Sequence, residues 1–209
     1  MLAMASYLES IRRPPRSLTD REQAALLRVT GERFAGYRDH LLFSMALGTG
    51  LRAHELLALN VGDVFDDRAD PRRRVLLQVF KGHATHAGAQ QDVVFSNTLR
   101  LKLQKFHTWK VAQHQSVDAT APLFVSQRRQ RLSLRQLRHS FAKWQQRAGF
   151  ERHLSFHSLR HAACGAVYAR SRDLRLTQRF ARHRSVVTTM VYTHPSDEEL
   201  IRAVEQLRC

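Results

Sequence analysis

The sequence predicts a mainly α-helical domain of the α+β class that contains one small antiparallel hairpin. Most of the chain carries apolar residues at the three- and four-residue spacing of amphipathic helices, with capping residues in front of them. Two short runs, VLLQVF at 75–80 and DVVF at 92–95, are instead rich in β-branched and aromatic residues. The basic, glycine-containing stretch between them, KGHATHAGAQQ, suits the tip of a hairpin.

Three helices are predicted before the hairpin. Thr19 and Glu22 have the spacing of a capping box at the start of the first helix. A second helix, 37–47, is closed by the turn Gly48-Thr49-Gly50, because glycine permits tight backbone turns. Arg52 follows this turn and is predicted to start the third helix, whose leucines face the core.

Further helices are predicted after the hairpin. The segment 96–115 is amphipathic, and we expect its basic residues on the outer face, namely Arg100, Lys102, Lys105 and Lys110. The remaining helices are expected from Ser133 to a C-cap at Gly149, from His157 onwards, at 173–182, and at 196–208 behind an N-cap at Ser196.

The charge of the chain points to a polyanionic partner. Of the 209 residues, 34 are Lys or Arg and 18 are Asp or Glu, which gives a formal charge of +16. Because Lys and Arg gain affinity by displacing counterions from phosphates, we expect a nucleic acid. A merely soluble surface is the alternative, but solubility needs far less charge.

Composition excludes several other classes of protein. The two cysteines, Cys164 and Cys209, are too few for a disulfide framework. The longest apolar runs fall well short of the ~20 residues of a membrane span, and no signal-peptide pattern opens the chain. We therefore expect a cytoplasmic, nucleoid-associated protein with no membrane partner.

We expect one main domain at 17–209, preceded by a flexible basic tail at 1–16. The tail ends in RRPPR, where two prolines prevent helix continuation and three arginines suit the neighbourhood of phosphates.

Candidate functional residues are densest between 157 and 194. His157 and Arg160 lie three residues apart and so share a helix face. His183 and Tyr192 follow in the same stretch. Upstream, Arg52 is placed at a helix start, where a cation is unfavourable against the helix dipole, and this favours a functional role. Together these residue types predict a phosphate-handling site with Tyr192 as its reactive group.

Four motifs in series carry a family resemblance. TGLRAHELLAL, the hairpin Lys81, HSLRH and RHRSVVTTMVYTH, in this order and at these separations, resemble the catalytic domain of the tyrosine recombinases, the phage integrase and Xer-type DNA recombinases. The resemblance covers about residues 17–207. It implies the DNA breaking-rejoining fold and a site-specific recombinase that cleaves and rejoins DNA through a 3′-phosphotyrosyl intermediate, in integration, excision or inversion.

The resemblance implies that Tyr192 is the nucleophile and that two arginines hold the phosphate. Arg52 and Arg160 would bind its non-bridging oxygens, a role that suits guanidinium because its planar fork matches phosphate and stays charged. A covalent phosphoryl-enzyme preserves the bond for resealing, so no cofactor is expected.

The remaining implied residues move or place protons. Lys81 would protonate the 5′-oxygen leaving group. His157 would accept the tyrosine proton or help to hold the phosphate, and His183 would hydrogen-bond a non-bridging oxygen. Glu55 is expected to be a buried partner that orients an arginine or a histidine, and His161 a supporting neighbour of the same group.

Basic residues before and along the helix that begins near Ser133 are candidates for DNA binding, although a solvated face predicts the same residues. They are Arg128, Arg129, Arg131, Arg135, Arg138 and Lys143. Seven histidines are expected to be structural or surface groups, His161 among them, namely His83, His86, His107, His114, His139, His153 and His161. No metal is expected, because the histidines lack the spacing of zinc ligands.

Two departures from the family pattern are visible. Ala181-Arg182 stand before His183 where the family usually has Leu-Gly, so the turn that aims His183 is expected to differ. A 16-residue tail is also too short for the amino-terminal helical domain of most members, so we expect a short, catalytic-domain-only member or an excised domain.

The resemblance also implies partners, and it leaves alternatives open. We expect double-stranded DNA, a tetramer on paired sites that exchanges the helix 196–208 between protomers, and accessory DNA-binding proteins. The alternatives are a type IB topoisomerase that relaxes DNA as a monomer and a DNA-binding regulator that does not cut.

Overall fold

The computed structural model describes residues 16–32, 36–77, 91–192 and 204–205. The chain divides into two compact units, a larger one at Arg16–Ala163 and a smaller one whose described residues run from Cys164 onwards. Both are mainly helical, and the larger unit contains a two-stranded antiparallel sheet, which confirms the predicted fold class.

The described part of the larger unit contains nine helices and strands. The described part of the smaller unit contains one further helix and one 3-10 turn. They are α1 (Asp20–Gly31), α2 (Tyr37–Thr49), α3 (Ala53–Ala58), α4 (Val61–Val64), β1 (Arg74–Leu77), β2 (Gln91–Val94), α5 (Asn97–Ala112), α6 (Leu134–Arg147), α7 (His157–Ser171), α8 (Leu174–Ala181) and a 3-10 turn (Met190–Tyr192). Helix α7 starts in the larger unit and ends in the smaller one.

Capping residues fix the helix starts where the sequence predicts them. The Thr19 hydroxyl accepts from the Glu22 N–H, and the Glu22 carboxylate accepts from the Thr19 N–H, which confirms the capping box of α1. Ser133 caps α6 in the same way. Two bounds differ by one residue, because Arg52 is the extended N-cap of α3 and Ala148 is the C-cap of α6.

The predicted hairpin is confirmed by two described strands, at Arg74–Leu77 and Gln91–Val94. Strands β1 and β2 pair antiparallel, with Val75 opposite Val93, and these two valines face the core. On the outer face Arg74 forms an ion pair with Asp92. The tip, including Lys81, lies outside the described residues.

The predicted basic outer face of α5 is wrong for three of its four residues. Lys110 is fully buried, and its ammonium donates to the carbonyls of Pro122 and Leu123 at 3.3 and 3.4 Å. Lys102 is half-buried and donates to Ser44 Oγ at 2.9 Å. The Arg100 Nε donates to a backbone carbonyl at 2.8 Å. These cations turn inward because acceptors on other segments bind them. The spacing of residues along the helix does not predict such acceptors.

The core of the larger unit joins α2 to α6 and to the segment before α7. Phe43 packs edge-on against Phe141 at 5.4 Å between ring centroids, and Phe141 packs against Phe156 at 5.5 Å. Buried Asp39 accepts from Trp144 Nε1 at 2.8 Å and from Ser140 Oγ. This paired carboxylate therefore fixes α2 against α6.

Within the part of the chain that the structure describes, we find no helix of the length and apolar character needed to cross a bilayer.

Candidate active site

The turn between α2 and α3 positions Arg52. Gly50 ends α2 in the left-handed conformation, with φ 61° and ψ 21°, which glycine adopts without a Cβ penalty. Two residues later, the Arg52 N–H donates to Glu55 Oε2 at 2.7 Å and its Nη1 donates to Oε1 at 2.8 Å. Glu55 is only 7% exposed. One buried carboxylate thus holds both the backbone and the side chain of Arg52, the kind of contact the sequence predicts for Glu55.

Arg160 is anchored to the same turn. It is only 2% exposed, and its Nη1 donates to the Gly50 carbonyl at 2.5 Å. A buried guanidinium needs acceptors for its N–H groups, and a backbone carbonyl supplies one without neutralising the charge. The contact therefore ties α7 to the turn from which Arg52 projects.

His157 begins α7, one helical turn before Arg160. It is exposed, yet its imidazole loses hydration against its neighbours, and this desolvation together with the charges of Arg160 and Arg52 lowers its pKa. Its ring meets that of His161 edge-to-face at 4.6 Å. Desolvation, then the charges of His157 and Arg160, lower the pKa of His161 to about 4. Both imidazoles are therefore neutral near pH 7, and a neutral imidazole can accept a proton.

A cleft of about 480 Å³ brings predicted site residues together. Its described lining comes from the start of α3, one face of α6 and the segment before α7, and it contains no Asp or Glu. The lining residues are Arg52, Ala53, His54, Leu134, Arg138, Phe141, His153, Leu154, Ser155, Phe156 and His157. The cleft is therefore suited to an anion.

Sequence reasoning did not select His54 and expected His153 to be a structural or surface group. His54 lies on the first turn of α3, two residues after Arg52, and His153 lies four residues before His157. Their closeness in sequence to Arg52 and His157 could have indicated that these histidines belong to the site. His54 stands inside the motif TGLRAHELLAL, whereas His153 lies outside the motifs, and the folded structure shows that both line the cleft.

The smaller unit brings His183 and Tyr192 together. The two rings lie nearly parallel, at 10°, with centroids 6.4 Å apart. The His183 Nδ1 is 3.0 Å from the hydroxyl of buried Thr189, which orients the imidazole. The 3-10 turn that carries Tyr192 begins immediately after Thr189, and the Tyr192 N–H donates to the Thr189 carbonyl. Thr189 is a positioning residue that sequence reasoning did not select.

The turn before His183 contains Ala181-Arg182, where the family usually has Leu-Gly. Arg182 is the C-cap of α8 and takes the left-handed conformation, with φ 55° and ψ 42°. Its N–H donates to the Arg179 carbonyl, and the His183 N–H donates to the Gln178 carbonyl. Arginine therefore occupies a conformation that glycine adopts more easily.

The six basic residues predicted to bind DNA lie in different environments. Arg131 Nη1 donates to the carbonyls of Leu57 and Ala58 at 2.8 and 2.9 Å, so its guanidinium closes the C-terminal end of α3. Arg129 donates to the His114 carbonyl. All six residues are exposed, and Arg138 alone among them is part of the described lining of the cleft. Arg128, Arg135 and Lys143, like Arg138, make no hydrogen bond or ion pair to a described residue.

Several predicted features lie outside the described residues: most of the basic tail at 1–16, Lys81, His83 and His86 in the hairpin tip, and most of the helix 196–208.

Comparison with known proteins supports the family resemblance that the motifs indicate. A model described as the phage integrase family matches residues 16–199. Tyrosine recombinase XerC of Neisseria meningitidis serogroup C / serotype 2a is 31% identical over 169 residues, which are 81% of this chain and 51% of that protein. The chain thus spans about half the length of this relative.

Solved structures show the same fold. The crystal structure of XerA recombinase superposes with a TM-score of 0.74 at 24% identity, over 94% of this chain and 67% of the other. A structure of XerH site-specific recombinase bound to difH substrate, a pre-cleavage complex, gives a TM-score of 0.72 at 22% identity, over 93% and 55%. These likenesses establish the fold of the chain.

Proposed function

The chain belongs to the phage integrase family, and we propose that it is a site-specific DNA recombinase that cuts and rejoins double-stranded DNA through a 3′-phosphotyrosyl intermediate. The observation that carries this proposal is the grouping of His157 with Arg52 and Arg160, where Arg52 and His157 line a cleft whose described lining contains no Asp or Glu. The pairing of His183 with Tyr192 in the smaller unit supports it. The catalytic domain is taken to be residues 17–209.

In the proposed cleavage step, the Tyr192 phenol loses its proton and its oxygen attacks the scissile phosphorus. The bond between phosphorus and the 5′-oxygen breaks, and that oxygen leaves as a hydroxyl once it receives a proton. Rejoining is the reverse: a 5′-hydroxyl attacks the phosphotyrosine and releases the phenol. The phosphodiester energy is kept in the covalent bond, so the cycle needs no external energy source.

Arg52 and Arg160 are proposed to stabilise the charge that builds on the non-bridging oxygens. Such stabilisation is effective only when the donors are already in place. Glu55 accepts one hydrogen bond from the Arg52 backbone and one from its guanidinium, and the Gly50 carbonyl accepts one from the Arg160 guanidinium. These bonds orient both side chains within the protein.

Three further groups are proposed to handle protons and the remaining oxygen. Neutral His157, whose pKa is lowered by desolvation and by Arg160 and Arg52, suits acceptance of the tyrosine proton. His183, oriented by Thr189, suits a hydrogen bond to a non-bridging oxygen. Lys81 is proposed to protonate the leaving 5′-oxygen, because an ammonium can give up its proton more readily than a guanidinium.

The proposed partner is double-stranded DNA, in line with the charge of +16. XerH site-specific recombinase, whose fold this chain shares, is bound to its difH substrate in the pre-cleavage complex. Tetramer formation on paired sites, exchange of the helix 196–208 and accessory DNA-binding proteins belong to the same proposal.

Trapping on a nicked duplex tests the proposal. When a strand is nicked a few nucleotides beyond the cleavage point, the short fragment with the 5′-hydroxyl diffuses away and the phosphotyrosyl adduct accumulates. We expect the wild-type chain to form this adduct on its cognate site, as a shifted band in a denaturing gel, and Tyr192→Phe to form none while binding the same DNA. Binding without an adduct would instead identify a non-cleaving regulator, and relaxation of plasmid DNA without paired sites would identify a topoisomerase.

A further inference from the structure

Arg138 is distinguished from the other basic residues of its region by what surrounds it. It is exposed, and it has no hydrogen bond or ion pair to any described residue. Arg131 and Arg129, in contrast, donate to protein carbonyls. Arg52, in the same cleft as Arg138, is paired with Glu55. Arg138 is therefore a cation of the cleft whose donors are not engaged by any described residue.

Arg138 stands on a wall of the cleft separate from that of Arg52. Leu134, Arg138 and Phe141 lie at positions i, i+4 and i+7 of α6 and so form one helix face along the cleft. His153, on the segment before α7, also lines the cleft and makes no hydrogen bond within the described part of the chain. The basic groups of the cleft thus come from three different elements.

The cleft is larger than one phosphate requires. A phosphate group has five heavy atoms and occupies on the order of 100 Å³, if each takes up to the ~30 Å³ of a water molecule. The cleft measures about 480 Å³. Apolar side chains, including Leu134, Phe141 and Phe156, also line the cleft, and apolar surface suits the carbon atoms of a deoxyribose.

We propose that Arg138, assisted by His153, forms a second phosphate subsite, which holds the phosphate one nucleotide away from the one bound by Arg52 and Arg160. This subsite rests on the proposed function, because it places a DNA strand in the cleft. Two phosphates separated by one sugar match two basic walls of a cleft that apolar side chains also line. Arg138 would fix the register of the strand rather than take part in bond cleavage, since phosphate contacts outside the reacting centre position DNA.

A small probe tests the subsite without knowledge of the target sequence. Thymidine 3′,5′-bisphosphate carries two phosphates on one sugar, and thymidine 5′-monophosphate carries one. We expect the wild-type chain to bind the bisphosphate about tenfold more tightly than the monophosphate, which is the effect of one charge-assisted contact. Arg138→Ala should remove this preference, and its affinity for the monophosphate should be unchanged. Both affinities are measured by NMR titration, with the histidine ring signals as the report.

Lys105→Ala is the control, because Lys105 is an exposed cation of α5 that does not line the cleft and is not among the DNA-binding candidates. It should keep the tenfold preference. Equal preference in wild type and Arg138→Ala would overturn the subsite, and so would an equal loss in Arg138→Ala and Lys105→Ala, which would indicate general charge attraction. Unfolding curves of both variants should match the wild type, since neither side chain is buried.

The outcome is separable from that of the proposed recombinase activity. A wild-type chain that forms no phosphotyrosyl adduct, yet shows the bisphosphate preference that depends on Arg138, would disprove the activity and leave the subsite standing. Adduct formation without that preference would overturn the subsite alone.

Discussion

The guanidinium of Arg160 donates a 2.5 Å hydrogen bond to the carbonyl of Gly50, two residues before Arg52. One backbone carbonyl therefore links the two arginines that are proposed to hold the scissile phosphate. The position of that carbonyl depends on the left-handed conformation of Gly50, with φ 61°. A residue with a Cβ is strained there, so Gly50 couples local backbone geometry to the site.

Gly50→Ala should lower the stability of the larger unit by about 1–2 kcal/mol, the cost of placing a Cβ in the left-handed region. Adduct formation should fall as well, because the carbonyl that anchors Arg160 moves with the turn. Urea unfolding and the rate of adduct formation measure the two effects. Gly165→Ala is the control: it lies in helix α7, and an added Cβ would meet nothing within 4 Å, so we expect no loss of stability. A Gly50→Ala protein as stable as the wild type would contradict this account.

Glu55→Gln should impair Arg52 more than it impairs the fold. The carboxylate accepts two hydrogen bonds from Arg52, and an amide in its place turns an NH₂ group towards one of those donors. We expect a loss of about 1–3 kcal/mol in stability and at least a tenfold lower rate of adduct formation, roughly 1.4 kcal/mol in the barrier. Glu32→Gln is the comparison, because its contact with Arg28 is exposed and 4.0 Å long, and it should change stability by less than about 0.5 kcal/mol. An unchanged adduct rate in Glu55→Gln would show that the pair does not position Arg52.

Arg131→Ala should reduce stability, whereas Arg128→Ala should change only the salt dependence of DNA binding. Arg131 donates to carbonyls at the end of α3, so its loss leaves acceptors unpaired and should cost about 1–3 kcal/mol of stability. Arg128 is exposed and makes no hydrogen bond or ion pair to a described residue, so its loss should leave stability unchanged. If Arg128 contacts a DNA phosphate, the slope of log affinity against log salt concentration falls by about 1 in Arg128→Ala. Salt titrations on a short duplex and urea unfolding separate the two, and a stability loss confined to Arg128→Ala would reverse the assignment.

His161 should make stability depend on pH. Its folded-state pKa of about 4 lies below the ordinary 6.5, so the unfolded chain binds more protons between these values. The contribution of His161 is therefore complete above about pH 6.5 and is lost as the pH falls through 4, with a size of about 3 kcal/mol at most. Urea unfolding between pH 7.5 and 4.5 should show a flatter curve for His161→Gln than for the wild type. His139→Gln, at an exposed position of α6, should keep the wild-type curve; equal slopes in all three proteins would refute the prediction.

Structural features that depend on neighbouring stretches of sequence could be predicted, and features that depend on distant segments could not. The capping box at Thr19 follows from two residues three positions apart, and the hairpin follows from two consecutive β-prone runs. Arg131 and Arg138 look alike in the sequence, yet the first closes the end of α3 and the second lines the cleft. Lys110 is similarly buried because distant carbonyls reach it. These differences depend on which segments meet in the fold.

The proposed catalytic residues were predicted from motifs, and the structure adds the contacts that hold several of them. The sequence predicts Arg52, His157 and Arg160 as one group, and it also suggests Glu55 as a partner. It does not contain the link from Arg160 to the Gly50 carbonyl, or the bond between His183 and Thr189, because each joins positions through backbone geometry that no motif records.

Arg182 should tolerate glycine and resist a β-branched residue. It takes φ 55° at the C-cap of α8, immediately before His183. Glycine adopts this conformation freely, but valine is strained there, so Arg182→Val should cost about 1–2 kcal/mol of stability. Because the same turn directs His183, adduct formation should fall in Arg182→Val and persist in Arg182→Gly. Thermal unfolding measures the stability of the wild type, Arg182→Gly and Arg182→Val, and the yield of adduct measures their activity. If Arg182→Val matched the wild type in both measurements, the left-handed turn would not be needed to place His183.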